Sequence, residues 1–411
     1  MSSLGNRPAQ ILVAGGGVAG LETCFALRDL AGDRVECTIL TPEREFVYRP
    51  MAVAEPFARG RAQRVGLDRI AEDAGARLVQ GSLAEVDDAQ RTAVTATGDR
   101  LSYDYLVVAV GARSEPAFPR ALTWTPETDA EIFGGLLRDI DEGYSKRIAF
   151  VVPVGVAWPL PAYELALMTG WEAREMGFDD VEITIFTPES APLEVFGAAA
   201  TTALREDLDA VGIGVETSSY VLPGPDGRLV VEPGARALGD ARVVALPRAI
   251  GPALRGLAYD VRGFIRCDRH GKVYGAATVW AAGDAIAFPV KQGGLASQQA
   301  VAAAEAIAAR VGADVQPHPF RPVLRGVLLT GRGRAWMRKA PDSAEGETER
   351  RALFWPPTKI AGRYLSPYLA QLADAEVTGD DGHPDGRPVA LDLERELPAA
   401  ADALRAAERD S

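Results

Sequence analysis

Cysteine is scarce in this chain, with three among 411 residues. Cys24, Cys37 and Cys267 form no C-x-x-C pair and exclude a disulfide framework. Cys24 falls in an expected helix and Cys37 in the following strand, where free cysteine acts as a packing residue. Histidine is as rare: His270, His318 and His383 stand isolated, leaving little material for a metal site or a histidine relay. No metal is expected. Basic residues are outnumbered, 44 against 57 acidic ones, for a formal net charge of -13. That balance argues against nucleic acid as the main partner. The segment after Ala370 carries 11 of the acids and 4 of the bases, so about half of the excess lies there. Long apolar runs are absent too. Residues 148–163 carry no charge, but they are shorter than the ~20 residues a spanning helix needs and contain Pro153, Pro159 and Pro161. Residues 1–10 hold no apolar core of a signal peptide. The expected location is the cytoplasm, with peripheral contact at the inner face of the membrane as an option.

What the chain does have is glycine in a telling place. ILVAGGGVAG, residues 11–20, reads as a buried strand followed by G-x-G-x-x-G at Gly15, Gly17 and Gly20. Residues 21–30 then read as a helix. In such a unit the first glycine permits a tight turn, the second lets backbone approach a pyrophosphate, and the third lets helix and strand pack closely. The helix N-terminus offers free N–H groups and a positive dipole end to the phosphates. Residues 35–40 read as the next strand. An acid usually stands about 20 residues past the glycines to take the ribose hydroxyls. Here Thr41 occupies that place with Glu43 two residues on, and either could serve. Residues 66–84 read as helix, then a strand over LVQGSLAEVD; residues 92–96 and 100–105 read as a hairpin. Residues 106–110 form a strand ending in the small-residue turn 111–113, where a chain can pass close to a dinucleotide.

The pattern then recurs. Residues 116–126 look like a linker and 129–144 like a helix. Residues 148–152, 163–175 and 181–186 repeat strand, helix and strand, and Thr187-Pro188-Glu189 repeats Thr41-Pro42-Glu43. Two Rossmann-like domains are therefore expected. The second loop is degenerate: Ala157, Pro159 and Ala162 take the three glycine positions, and Trp158 adds bulk. Proline there removes an N–H and room for a pyrophosphate. Residues 263–268 and 272–274 read as short strands and 279–282 as a strand. A turn at Gly283-Asp284 and an alanine-rich helix over 294–311 follow. Apolar strands separated by GRGR fill 320–340, with Arg332, Arg334, Arg338 and Lys339 around Trp336. Residues 353–370 are aromatic and apolar, which disordered tails are not. A polar stretch over 371–388 and a terminal helix over 391–409 complete the expectation.

At Ala282-Gly283-Asp284, taken with Gly15, Gly17, Gly20 and residues 109–112, the chain resembles the flavoproteins with two dinucleotide-binding domains. These comprise pyridine nucleotide–disulfide oxidoreductases, type II NADH dehydrogenases and sulfide:quinone oxidoreductases; the similarity spans about residues 10–335. The resemblance implies an α/β fold of two Rossmann-like domains plus a C-terminal extension. It implies an FAD domain from 1–125 and 251–318, a second domain over 126–250, an interface region over 319–370 and an acidic, mobile tail over 371–411. It implies bound FAD, with NAD(P)H as a weak alternative. Gly15, Gly17, Val18, Ala19 and Gly20 would hold the pyrophosphate, and Thr41 or Glu43 the ribose. Arg49 and Pro50 would lie along the flavin, with Ala109, Gly111 and Ala112 close by. Gly283 and Asp284 would meet the ribitol or phosphate, and Lys291, Gln292, Gly293 and Gly294 the pyrimidine edge. Arg49-Pro50, Lys291-Gln292-Gly293 and the degenerate second loop are most similar to sulfide:quinone oxidoreductases. Those enzymes carry sulfur-binding cysteines beside the flavin, whereas this chain has none between Cys37 and Cys267 and none after. The reading that follows is an FAD-dependent oxidoreductase passing electrons from a small donor to a quinone-like or protein acceptor. On that resemblance Lys291 would stand near the ring, and no side chain is an evident acid or base. A type II-like NAD(P)H dehydrogenase and a flavin-binding sensor or interaction protein are the alternatives.

Overall fold

A computed structural model describes residues 7–125, 130–224 and 226–378. Two parallel sheets dominate it. The first orders its strands Val279–Ala281, Tyr105–Val108, Ala9–Ala14, Val35–Thr41 and Ala76–Gln80. Its central strand is buried on both faces, as the unbroken apolar run Ile11–Ala14 demands of a parallel sheet. The sheet draws its edge strand from a segment 170 residues beyond its neighbour in the chain. The second sheet orders Leu122–Thr123, Arg242–Ala245, Arg147–Val151, Glu182–Phe186 and Gly214–Glu216, again all parallel. An antiparallel sheet of Leu324–Leu329, Arg334–Lys339 and Glu347–Glu349 follows.

Several local expectations change. The first helix, Val18–Ala31, begins three residues earlier than expected, directly on Gly17. Residues 66–84 hold a shorter helix, Leu67–Asp73, and the single strand expected next is broken at Gly81 into Ala76–Gln80 and Leu83–Asp87. Gly81 sits at φ +158°, which turns the chain there. The expected linker over 116–126 contributes the strand Leu122–Thr123 to the second sheet. Residues 263–274 form isolated bridges, Tyr259 to Ile265 and Cys267 to Val273, in place of short strands. In the second domain the expected helix over 129–144 is Ala130–Asp141, and the helix after strand Arg147–Val151 is Leu160–Glu175, which takes up the prolines read as loop: Pro159 caps it and Pro161 lies in its first turn. Proline is favoured there because the first helical N–H groups have no intrahelical partner to lose.

The C-terminal segment is part of the body. Helix Leu365–Thr378 crosses position 371, where a mobile tail was expected to begin, and buries Leu372. The expected helix over 391–409 lies outside the described residues. Ile360, Tyr364, Leu365, Tyr368 and Leu369 share a core with Leu21, Cys24 and Phe25 of the first helix. Phe25 and Tyr368 stack with ring centroids 4.9 Å apart. Glu22, fully buried on the first helix, accepts hydrogen bonds from the backbone N–H groups of Arg363 (2.8 Å), Tyr364 (3.0 Å) and Leu365 (2.9 Å). Burial pushes its carboxyl up, and those N–H groups and Ser297 pull it back. The carboxylate thus satisfies the unpaired donors of a helix start and complements its dipole. Glu22→Leu strands those donors and is expected to cost about 1–3 kcal/mol. Thermal unfolding measures it, and an unchanged midpoint would show that the clasp carries no weight.

Candidate active site

A cleft of about 670 Å³ opens where the strands of the first sheet end, facing the second domain and the C-terminal segment. Ligands of open α/β sheets bind outside these carboxyl ends. Gly15, Gly17, Val18 and Ala19 form one part of its wall. Gly15 is at φ +123°, and a Cβ there would stand 2.2 Å from the Ala109 carbonyl oxygen. A Cβ on Gly20 would stand 1.9 Å from the Gly15 carbonyl oxygen, so Gly20 acts through packing and does not reach the cleft. Gly17 is different, since a Cβ there would meet nothing within 4 Å. The space above Gly17 is open, and no side chain caps the helix it begins. Its first N–H groups are available to an anion. This cradle fits the pyrophosphate of FAD.

The other expected residues divide. Glu43, Arg49, Pro50, Ala109, Gly111, Ala112, Gly283, Asp284, Lys291, Gln292 and Gly293 line the same cleft. Thr41 and Gly294 do not. Thr41 is buried behind Glu43, and its hydroxyl donates to the Glu43 carboxylate. Of the two ribose candidates, therefore, Glu43 is in the wall and Thr41 supports it. Gly294 lies behind Gln292, whose Oε1 would be 3.1 Å from a Cβ there. Gln292 is itself engaged: Oε1 accepts from Leu295 N at 2.9 Å, capping helix Gly293–Arg310, and Nε2 donates to the Arg325 carbonyl. Lys291 donates to the Ile286 carbonyl and lies 3.8 Å from the centroid of the Phe264 ring. Burial lowers its ammonium to about 8, with Asp284 opposing. Burial pushes the Asp284 carboxyl up, countered by Lys291 and Arg49.

None of the cysteines lines the cleft; Cys24 and Cys37 are buried. Burial pushes the Cys267 thiol up to about 12, so no thiolate forms there near neutral pH. Among the described residues no three His, Cys, Asp or Glu side chains gather as a metal site. The basic cluster near Trp336 is partly engaged: Arg332 lies 3.7 Å over the Trp171 ring, and Arg338 pairs with Glu347 at 3.2 Å.

Sequence reasoning missed part of the wall. Gly81, Ser82 and Trp124 line it, as do Glu164 and Lys359. Glu164 and Lys359 form an ion pair at 2.7 Å with both side chains almost wholly buried. The signal was present: Glu164 is the first charge after sixteen uncharged residues, and Lys359 is isolated within LFWPPTKIAG. In the second domain, Glu189 stands at the position corresponding to Glu43. It accepts from Tyr163 Oη at 2.5 Å and Thr187 Oγ1 at 2.8 Å, and burial pushes its carboxyl up. The acid that would meet a second ribose is thus held by its own domain.

These features define a class. Residues 2–141 match the family described as Pyridine nucleotide-disulphide oxidoreductase. Over that stretch the chain is similar to this family. A sulfide-quinone reductase of Aquifex aeolicus is 28% identical over 208 residues, which cover 49% of this chain and 48% of that protein. The match thus spans about half the length of that curated relative. Among solved structures, the sulfide:quinone oxidoreductase of Aquifex aeolicus superposes with a TM-score of 0.74 at 19% identity, covering 83% of this chain and 86% of that one. The NDH2 of Plasmodium falciparum reaches 0.63 at 12% identity over 90% and 95%. A ferredoxin reductase of Rhodopseudomonas palustris reaches 0.59 at 17% identity over 96% and 100%. At these identities the superpositions speak for the fold.

Proposed function

We propose that this chain is an FAD-dependent oxidoreductase that passes electrons from a small donor to a quinone-like or protein acceptor. The observation that carries it is the open, uncapped helix start above Gly17, in a cleft that Asp284 also lines. FAD bound there would supply two-electron transfer; the protein binds and orients it. The N–H groups of the first helical turn hold the pyrophosphate, and Glu43 meets the ribose. Arg49, Asp284 and Lys291 set the charge along the wall. The resemblance to sulfide:quinone oxidoreductases supports a quinone-like acceptor, but no cysteine of this chain offers the usual sulfur chemistry. Among the described residues no helix is long and apolar enough to cross a membrane. The purified protein should be yellow, and anaerobic screening of NADH, NADPH, sulfide and quinols for flavin bleaching would identify the donor. A flavin-free chain that FAD cannot reconstitute overturns the reading.

NADH is expected to be a poor donor. A second pyrophosphate needs backbone N–H groups at the second domain's helix start. Pro159 and Pro161 supply none, and Trp158 is fixed edge-on against Phe196 with centroids 5.6 Å apart. Glu189 is tied to Tyr163. Each charge-assisted hydrogen bond lost costs about 1.5–3 kcal/mol, or roughly ten- to a hundredfold in affinity. Anaerobic stopped-flow reduction should be slow and unsaturated at micromolar NADH. Fast, saturating reduction would favour the NAD(P)H dehydrogenase reading instead.

A further inference from the structure

The geometry points to a separate compartment of the cleft, on the second domain's wall, that takes a flat, uncharged ring bearing a carbonyl oxygen. It rests on the reading of the glycine wall as the FAD site. Trp124, Val156, Trp158, Leu160, Pro161 and Leu246 line this side, drawn from three separate segments of the second domain. The wall is apolar, and several of its backbone donors are absent or engaged. Pro159 and Pro161 have no N–H; the N–H of Val156 donates to the Pro153 carbonyl and that of Leu246 to the Val151 carbonyl. The charges within reach, Glu164 and Lys359, neutralise each other. A small anion or a pyrophosphate would be stripped of water here with little to replace it.

A neutral aromatic ring meets the opposite situation. It exchanges water for a wall of Trp124, Trp158, Leu160 and Leu246, in which Trp158 is packed edge-to-face against Phe196. The indole N–H groups of Trp124 and Trp158 make no hydrogen bond to a protein acceptor among the described residues. Indole nitrogen only donates, and such donors normally find a partner once enclosed. A carbonyl oxygen on the ring is the acceptor that suits them. The loop that carries a dinucleotide's phosphates elsewhere in this fold is here remodelled by prolines and tryptophan into a ring-binding wall.

The test uses flavin-loaded protein and isothermal titration with 1,4-naphthoquinone, hydrosulfide and NADH as probes, with flavin content read first from the visible spectrum. Saturable binding of the naphthoquinone alone is expected. Trp158→Ala should weaken it about tenfold or more and Trp158→Phe, which keeps a ring but removes the N–H, by less. Tyr144→Ala, on an exposed surface, should leave it unchanged. Circular dichroism checks that each variant folds; if Trp158→Ala does not, Trp158→Phe and Trp124→Phe carry the test. Flavin-loaded protein that does not bind the naphthoquinone, binds it equally well without these indoles, or releases it to NADH or hydrosulfide, overturns the compartment. A flavin-free protein fails the reading of the glycine wall instead.

Discussion

Gly17→Val is expected to give a folded, colourless protein. The three glycines of the loop look equivalent in sequence, but the structure separates them. A side chain at Gly15 or Gly20 would drive a Cβ to about 2 Å from a backbone oxygen, 2.2 Å and 1.9 Å respectively, so those variants strain the fold itself. A Cβ at Gly17 meets no protein atom within 4 Å, and its φ of -88° is open to any residue. Valine there leaves the chain free to fold. Its two methyl groups fill the space through which the N–H groups of the first turn reach a phosphate. Losing two charge-assisted hydrogen bonds, at about 1.5–3 kcal/mol each, weakens FAD by roughly a hundredfold or more before any clash. The measurements are flavin absorbance after purification, reconstitution with added FAD, and far-UV circular dichroism. The melting temperature should fall only by the stabilisation that bound FAD confers. Yellow protein with normal flavin content would show that the pyrophosphate lies elsewhere.

The same contrast explains what could be read from the chain. The parallel strands were legible because a strand buried on both faces needs an unbroken apolar run, and Ile11–Ala14 and Ile148–Val151 supply one. The glycine loop was legible because close backbone contacts at Gly15 and Gly20 leave glycine as the residue that fits. Linker 116–126 hid a strand because two residues, Leu122 and Thr123, are too short a run to show a period. The prolines of 153–161 suggested an extended loop, since a helix excludes proline from its interior but accepts it in the first turn. Thr41 and Glu43 could not be separated from sequence because their order along the chain says nothing of which stands in front. Glu164 and Lys359 escaped for a related reason: they are 195 positions apart, and a charge isolated in apolar surroundings does not say which distant residue pairs with it.

That buried pair should show the largest stability effect in the molecule. Lys359 Nζ donates to both Glu164 oxygens at 2.7 Å and to the Pro50 carbonyl at 3.0 Å, which uses all three of its protons. Glu164 Oε1 also accepts from Leu329 N at 2.9 Å. The pair therefore joins the Arg49-Pro50 segment, the second domain's helix and the C-terminal sheet at one point of the cleft. Burial pushes the Glu164 carboxyl up and the Lys359 ammonium down, each opposed by the other's charge. Desolvation is thus a heavy cost that the pairing offsets, and removing one partner exposes it. Lys359→Met is expected to destabilise by about 3–5 kcal/mol, a large part of an ordinary protein's 5–15 kcal/mol. Replacing both, as Glu164→Leu with Lys359→Met, should recover most of that loss, because no charge is then left buried. The single variant should also acquire a pH dependence. Its lone Glu164 carboxyl has a folded-state pKa above the ordinary value, so the native state holds a proton that the unfolded state releases. Stability is then greatest below the unfolded value of about 4.5 and falls as pH rises toward neutrality. Denaturant titrations of the two singles and the double at pH 4.5 and 7.5 give the coupling directly. Equal losses for the single and double variants at both pH values would mean that the two charges are solvated in solution and do not hold the three segments together.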